Sequence, residues 1–196
     1  EGPSGSGKTF TALRAATALG ENIAVINTEN KTIQKYKGLA PDGIPFEFCV
    51  EDLTNFAPSA YMESILCAGK DGFDVLIIDS LSHAWEGEGG ALDQVDRSND
   101  PNRFTAWKSI TPQHRRMVEA IIRSPCHVIA TMRTKTEYVL EQNEKGKMVP
   151  KKVGTKPIQR EGMEYEFDLV VDMNLEHVMT ISKTRCTVFD GLTIVK

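Results

Sequence analysis

The first ten residues, EGPSGSGKTF, contain the spacing G-x-x-x-x-G-K-T, with Gly2, Gly7, Lys8 and Thr9 at its fixed positions. Glycines allow backbone conformations with positive φ and let a row of N–H groups approach an anion closely. A lysine at this position reaches the β- and γ-phosphates of a nucleotide, and the hydroxyl that follows it ligates Mg²⁺. The motif therefore predicts a loop that holds a nucleoside triphosphate together with Mg²⁺.

The residues after this loop predict a helix whose N-terminus faces the phosphates. Phe10, Leu13, Ala16 and Leu19 recur at helical spacing, and Gly20 ends the pattern. A helix N-terminus favours a bound anion, whereas the alternative, a Gly/Ser linker, would not need this apolar stripe. The expected nucleotide-binding residues are Gly2, Pro3, Ser4, Gly5, Ser6, Gly7, Lys8, Thr9 and Phe10.

The composition is that of one globular domain. With 196 residues, 40% hydrophobic and 26% charged, the chain can bury one core well and is short for two. It has no apolar run near ~18 residues, which argues against a membrane and for a cytosolic location. Because only Glu1 precedes the loop, we expect residues 1–196 to be a single domain that lacks the strand usually found before such a loop.

Apolar runs that alternate with helical patterns predict an α/β fold. The expected strands cover 22–27, 46–50, 73–80, 126–132 and 167–173. The expected helices, after the first, cover 59–69 and 111–124, the latter capped by Thr111 with Pro112 at its first position. A late strand at 177–186 should pair with 167–173 as an antiparallel hairpin. This is the architecture of a P-loop NTPase, with a mainly parallel sheet flanked by helices.

Two carboxylates follow predicted strands. The buried run Val75–Asp79 would deliver Asp79 to the magnesium ion beside Thr9. The next residue is Ser80 and not a glutamate, so a base for the attacking water has to come from elsewhere. Glu29 ends the preceding strand and can serve as that base. The alternative is a solvated glutamate at the start of a helix.

The net charge of −4 is unevenly distributed. Residues 133–160 carry eight basic and three acidic side chains, a local charge of +5 that leaves −9 for the rest. This segment predicts a basic hairpin that binds nucleic acid, with Tyr138 as a stacking surface. The candidate contacts are Arg133, Lys135, Tyr138, Lys145, Lys147, Lys151 and Lys152. The alternative is a solvated basic loop.

A second candidate loop for nucleic-acid binding lies at 82–107, where Trp85 and Trp107 can pack inside instead.

Four segments together resemble the RecA-like recombinase ATPases, most closely the small phage-encoded relatives of RecA and RadA: GPSGSGKT, AVINTEN, VLIIDSLSHAWEG and HVIATMRTKTEY. The resemblance implies ATP hydrolysis with Mg²⁺, binding of single-stranded DNA, and annealing or strand exchange by a homo-oligomer, with a single-strand DNA-binding protein as a further partner. It makes Glu29 catalytic and places Tyr36 against adenine, although Tyr36 can equally belong to a solvated helix. Met132 and Arg133 stand where the RecA branch has a glutamine that senses the nucleotide, so Thr131 or Arg133 would replace it.

The late sequence SKTRC places Lys183 and Arg185 on one face of a strand. In the resembled family a similar pair reaches the γ-phosphate held by a neighbouring subunit, which would make both residues catalytic in a shared site. The alternative is a solvated strand. Two other functions also stay open, a small-molecule kinase and a nucleotide-gated assembly module that acts without DNA chemistry.

Overall fold

The sheet beside the phosphate loop has four parallel strands. A computed structural model describes residues 1–98, 102–142 and 147–195, and of residues 138, 139 and 151–153 it describes the backbone alone. The strands are β1 (Ile23–Asn27), β2 (Cys49–Asp52), β3 (Val75–Asp79) and β4 (His127–Ala130). Their order is β2-β1-β3-β4, and every pairing is parallel. Their carboxyl ends therefore lie at one edge of the sheet.

Helices cover both faces of this sheet. They are α1 (Lys8–Leu19), α2 (Pro58–Lys70), α3 (His83–Glu86), α4 (Ala91–Asp96) and α5 (Arg103–Ile122). Val75 and Ile77 of β3 pack in a cluster with α1, while Leu76 and Ile78 pack in a second cluster with α2 and α5. A strand buried on both faces has a continuous apolar sequence, so the predicted parallel sheet flanked by helices is confirmed. None of the described helices is long and apolar enough to cross a membrane.

The remaining strands are antiparallel. They are β5 (Thr134–Gln142), β6 (Met148–Pro157), β7 (Leu169–Met173), β8 (Met179–Thr184) and β9 (Thr193–Ile194). β5 pairs with β6, and β7, β8 and β9 form a three-stranded sheet that confirms the predicted C-terminal hairpin. The N–H of Gly2 donates to the carbonyl of Met132 at 3.1 Å, and the N–H of Met173 donates to that of Glu1 at 2.8 Å. Residues 1 and 2 therefore connect the segment just after β4 of the parallel sheet to β7 in the three-stranded sheet.

The prediction for the long helix was wrong at its start. α5 begins at Arg103 and not at residue 111, and Pro112 lies inside it. The side chain of Asn102 accepts a hydrogen bond from the N–H of Phe104 and caps this earlier start. Ala106 and Ile110 are then buried in a third apolar cluster. Their burial stabilises the first two turns enough to tolerate a proline, which removes one helical hydrogen bond.

The second strand also lies later than predicted. Pairing with β1 begins at Cys49 and not at Phe46. Phe46 and Phe48 are buried beside α1, and the N–H of Phe46 bonds to the carbonyl of Leu39 across a turn. The two phenylalanines therefore anchor the approach to the strand, because a buried aromatic can pack against a sheet without pairing in it.

Candidate nucleotide-binding site

The phosphate loop needs glycines for two different reasons. Gly7 precedes α1 with φ of 90°, a conformation that other residues rarely adopt. At Gly2 a Cβ atom would lie 2.4 Å from the carbonyl oxygen of Met173, so the loop could not approach β7 so closely. Residues 4–11 line a cavity of about 1130 Å³, to which the first turn of α1 contributes. The predicted loop residues from Ser4 to Phe10 are therefore together at one site.

Lys8 is folded back over this loop. Its Nζ donates to the carbonyl of Pro3 at 2.7 Å, and its side chain lines the cavity. Burial lowers the pKa of Lys8 below its ordinary value, although the carboxylates of Asp79 and Glu29 oppose this shift. A partly desolvated ammonium of this kind interacts strongly with an anion, because fewer waters screen it.

Thr9 and Asp79 meet at the end of β3. The hydroxyl of Thr9 donates to Oδ2 of Asp79 at 2.8 Å, and that of Thr131 donates to Oδ1 at 2.5 Å. Asp79 is 2% exposed. Burial raises the pKa of Asp79, and the hydrogen bonds from Thr131 and Thr9 oppose the rise without cancelling it. The predicted metal pair is therefore in contact.

This donor set fits magnesium. A hydroxyl and a carboxylate are the hard oxygen donors that Mg²⁺ takes alongside phosphate oxygens and water. Thr9 lies in the first turn of α1, directly after the phosphate loop, whereas Asp79 ends β3, so the two would hold the ion next to the phosphates. Both residues line the same cavity.

Glu29 lies two residues beyond β1 and lines the cavity as well. Its carboxylate makes a bidentate ion pair with Arg133, at 2.9 Å from Nε to Oε1 and 2.5 Å from Nη2 to Oε2. Burial alone would raise the pKa of Glu29, but the hydrogen bonds and charge of Arg133 outweigh it and hold that pKa below its ordinary value. Arg133 was predicted as a nucleic-acid contact or a nucleotide sensor, and it lies at the nucleotide cavity.

The rest of the cavity is lined from two directions. Tyr36 ends a 3-10 helix at Thr32–Tyr36 and lies beside Phe10, with 6.2 Å between ring centroids. Met179 and Ile194 line the cavity from the three-stranded sheet. Tyr36 is thus in the predicted region, and its contact with adenine stays a prediction.

Sequence reasoning missed His177. This residue lies in the turn between β7 and β8 with φ of 61°, and its Nδ1 is 3.1 Å from the carbonyl oxygen of Ser6. It also lines the cavity. A single histidine in a polar turn belongs to no motif, so no sequence signal pointed to this contact with the phosphate loop.

Lys183 and Arg185 lie outside the residues that line this cavity. Nζ of Lys183 donates to the carbonyls of Glu164 at 3.0 Å, Tyr165 at 2.9 Å and Phe167, and so stabilises the end of a 3-10 helix at 163–166. Arg185 pairs with Asp168 at 2.8 Å, and both side chains are more than half exposed. Their role at a neighbouring subunit's site stays a prediction.

The basic segment forms the predicted hairpin. β5 and β6 pair antiparallel from Thr134 with Pro157 to Gln142 with Met148. Lys135 and Lys147 are exposed. Tyr138, Lys151 and Lys152 lie in the paired strands, where the structure describes their backbone alone, and Lys145 lies outside the described residues. The hairpin geometry is therefore confirmed, and nucleic-acid binding stays a prediction.

The second candidate loop, 82–107, is largely folded in its described part. The rings of Trp85 and Trp107 stack with centroids 5.5 Å apart, beside the cluster of α4 and α5. The packing interpretation of both tryptophans is confirmed.

A family model described as an AAA domain matches residues 1–189. No curated protein matches the chain. Since the family match covers nearly the whole length, the chain belongs to this AAA domain family of P-loop NTPases. Nucleotide binding and hydrolysis are the activities that such a domain indicates. DNA recombination and single-strand annealing go beyond this match.

Proposed function

We propose that this protein hydrolyses ATP with Mg²⁺ and couples the reaction to single-stranded DNA in a homo-oligomer, as RecA-like recombinases do. The observation that carries the hydrolysis is the meeting of Lys8, Thr9, Asp79 and Glu29 at one cavity. Three segments of the chain supply them, at the carboxyl edge of a parallel sheet. A loop that only bound phosphate would need neither the buried carboxylate nor the second acid.

Each of these residues has a separate task. Thr9 and Asp79 would hold Mg²⁺, which would supply positive charge to the triphosphate. Lys8 adds charge to the same phosphates. Glu29 orients a water and accepts its proton as the water oxygen attacks the γ-phosphorus and ADP leaves.

The β5–β6 hairpin is the proposed DNA surface. It lies in the segment with a local charge of +5, on a body of opposite sign, and polyanions are attracted to such a patch. Within its described side chains, Lys156 pairs with Glu137 at 3.4 Å, while both remain partly exposed. Annealing or strand exchange follows from the resemblance to the recombinases.

Arg185 is the favoured residue for a contact between subunits. Its ion pair with Asp168 is exposed, and such pairs contribute about 0–1 kcal/mol, so Arg185 can exchange partners at low cost. Lys183 would have to give up three carbonyl acceptors. β8 ends at Thr184, so Arg185 directly follows the strand and does not share it with Lys183 as predicted. We therefore assign Arg185 the catalytic contact and Lys183 the support of the strand that precedes it.

The test is phosphate release from ATP with and without an oligodeoxythymidylate, and with added nucleoside monophosphates. We expect DNA to stimulate release, and Lys8→Ala and Thr9→Ala to abolish it. Lys70→Ala, at an exposed lysine that ends α2, is the matched control and should be normal. Phosphate transfer to a monophosphate would instead indicate a kinase. Nucleotide-dependent assembly without turnover would indicate the assembly module, and full turnover by Lys8→Ala would refute the site.

A further inference from the structure

Arg133 connects the parallel sheet to the β5–β6 hairpin. β4 ends at Ala130 and β5 begins at Thr134. The N–H of Arg133 donates to Oγ of Ser82 at 2.9 Å, and its carbonyl accepts from the N–H of Ile158 at 2.7 Å. The main chain of Arg133 is therefore bonded both to the segment after β3 and to the returning leg of the hairpin, so a movement of the hairpin root moves Arg133.

The returning leg has a second attachment at Gln159. This buried side chain donates from Nε2 to the carbonyl of Leu81 at 2.9 Å, and its Oε1 lies 3.0 Å from Nε2 of His114. Within the described residues, β5 and β6 pack mainly against each other. The hairpin is thus held to the body chiefly near Arg133 and Gln159.

The side chain of Arg133 engages both oxygens of Glu29. A planar guanidinium that binds both oxygens of a carboxylate fixes its position and direction. The attacking water must then compete with these N–H donors. In the described structure the negative charge of Glu29 is also stabilised by this pair, which makes the carboxylate a weaker proton acceptor.

The main chain on the other side of the pair is fixed to the sheet. The N–H of Glu29 donates to Oδ1 of Asn27 at 3.2 Å, and that of Thr28 donates to the carbonyl of Asp79 at 2.7 Å. Asn27 is itself bonded to Asp52 at 2.6 Å. Glu29 is therefore held at the centre of the sheet, and a movement of the hairpin reaches the pair through Arg133.

We propose that the Glu29–Arg133 ion pair is a latch on the catalytic base, and that the β5–β6 hairpin opens it by displacing Arg133 when single-stranded DNA binds. The inference rests on the proposed function, in which Glu29 is the base, and it concerns the regulation of that site. Arg133 acts through Glu29 and is a positioning residue. The latch makes hydrolysis slow until the hairpin is engaged.

The first test compares turnover with and without an oligodeoxythymidylate in the wild type, Arg133→Ala and Arg133→Lys. We expect Arg133→Ala to raise the rate without DNA by up to about fivefold, as for loss of a partly exposed ion pair. The ratio of the two rates should fall towards one. Arg133→Lys keeps the positive charge but loses the bidentate guanidinium contact. The ratio of turnover with DNA to turnover without DNA should therefore be partly restored.

The matched control is Asp96→Asn, which breaks the exposed pair of Asp96 with Arg103 at 2.7 Å. It should keep the wild-type ratio. If Arg133→Ala loses turnover in both conditions, Arg133 belongs to the phosphate contacts and the latch is refuted. An unchanged ratio in Arg133→Ala refutes it as well.

The second test needs no turnover. Backbone hydrogen exchange is measured without nucleotide at residues 133–136 and 155–159, in Glu29→Gln, Arg133→Ala and Asp96→Asn. Glu29→Gln and Arg133→Ala should speed exchange in both segments by about fivefold, and Asp96→Asn should leave it unchanged. Unchanged exchange overturns the latch whatever the turnover. Faster exchange in a protein that hydrolyses no ATP supports the attachment of the hairpin and overturns the proposed function instead.

Discussion

Asp79, the proposed magnesium ligand, should lower the stability of the metal-free protein. Its carboxylate is buried and accepts two hydroxyl hydrogen bonds, from Thr9 and Thr131. Burial raises the pKa of Asp79 in spite of these bonds, so we expect the charged form to cost free energy in the fold. In Asp79→Asn the amide can keep both contacts, because a hydroxyl can rotate to donate to the oxygen or accept from the NH₂ group.

The expected magnitude follows from these contacts. The substitution gives up the extra strength of two charge-assisted bonds, while it avoids a desolvation cost of several kcal/mol for a buried ion. We expect a net gain of about 1 kcal/mol in the free energy of unfolding without metal. For a chain of this length that gain raises Tm by about 2–4 °C.

Thermal unfolding in EDTA, and again with Mg²⁺ and ATP, measures this effect. In EDTA, Asp79→Asn should have a higher Tm than the wild type. Addition of Mg²⁺ and ATP should raise its Tm by less than that of the wild type. Its turnover should be lost, whereas its nucleotide affinity should fall by a smaller factor. The matched control is Asp74→Asn, at the exposed residue directly before the same strand, where the carboxylate accepts from the N–H groups of Glu21 and Asn22. That variant should lose stability.

The pH dependence of the stability difference between Asp79→Asn and the wild type is an independent test of its direction. A carboxyl group whose pKa is raised by folding is protonated more readily in the folded state, so its penalty appears as pH rises through the folded-state value. The stability advantage of Asp79→Asn should therefore be full above the folded-state pKa of Asp79 and should close as pH falls to the ordinary range of aspartate. A lower Tm for Asp79→Asn in EDTA, or an advantage that does not change with pH, would refute the reasoning.

Two further predictions concern the base and the hairpin. Glu29→Gln should keep nucleotide affinity and lose about 10²–10⁴-fold in turnover, and normal turnover beside an inactive Lys8→Ala would place the base elsewhere. Neutralising the hairpin lysines should weaken single-strand binding and flatten its salt dependence by roughly 0.7 in the log–log slope for each phosphate contact, and an unchanged slope would exclude this surface. The lysines are Lys145, Lys147, Lys151 and Lys152. Tyr138→Ala should then cost about 1–3 kcal/mol of binding if a base stacks there.

The sequence predicted those parts of the fold that depend on local pattern. The glycine spacing before α1 and the uninterrupted apolar run of β3 each reflect a short stretch of backbone in one environment. Thr9 and Asp79 could be paired from sequence because parallel strands end at a common edge. This adjacency follows from topology alone and needs no knowledge of side-chain packing.

The early start of α5 could not be predicted in the same way. Pro112 is a strong local signal for a helix start, and it was overruled by tertiary burial of Ala106 and Ile110. Likewise Phe46 and Phe48 have the composition of a strand but bury their rings without pairing. In both cases the decisive energy comes from contacts with residues distant in the chain.

The Glu29–Arg133 pair shows the same limit at the site. The two residues are 104 positions apart, and Arg133 was grouped with the basic hairpin because its neighbours in sequence are basic. Its side chain lies instead on the cavity side of the hairpin root. The net charge of a segment predicts a basic surface, but it does not predict which of its basic residues pairs with an acid elsewhere in the fold.

The proposed contact between subunits can be tested by complementation. Arg185 has exposed partners, Asp168 and the carbonyl of Tyr165, so it can exchange them for a phosphate on a neighbouring subunit. An arginine that reaches a transferring phosphoryl group contributes about 10³–10⁵-fold to the rate. Subunits with Arg185→Ala retain an intact phosphate loop, and subunits with Lys8→Ala retain an intact Arg185. Mixed assemblies should therefore regain turnover that neither variant has alone.

Lys183→Ala provides the contrast. Because Nζ of Lys183 binds three carbonyls of its own subunit, its loss should lower Tm, whereas Arg185→Ala should leave Tm nearly unchanged. Co-assembly is verified first by a size measurement with one variant labelled. If mixed assemblies of Arg185→Ala and Lys8→Ala stay as inactive as either parent, Arg185 does not complete a neighbour's site. The charge on the phosphates must then be balanced without Arg185, with Lys8 of the same subunit lining the cavity.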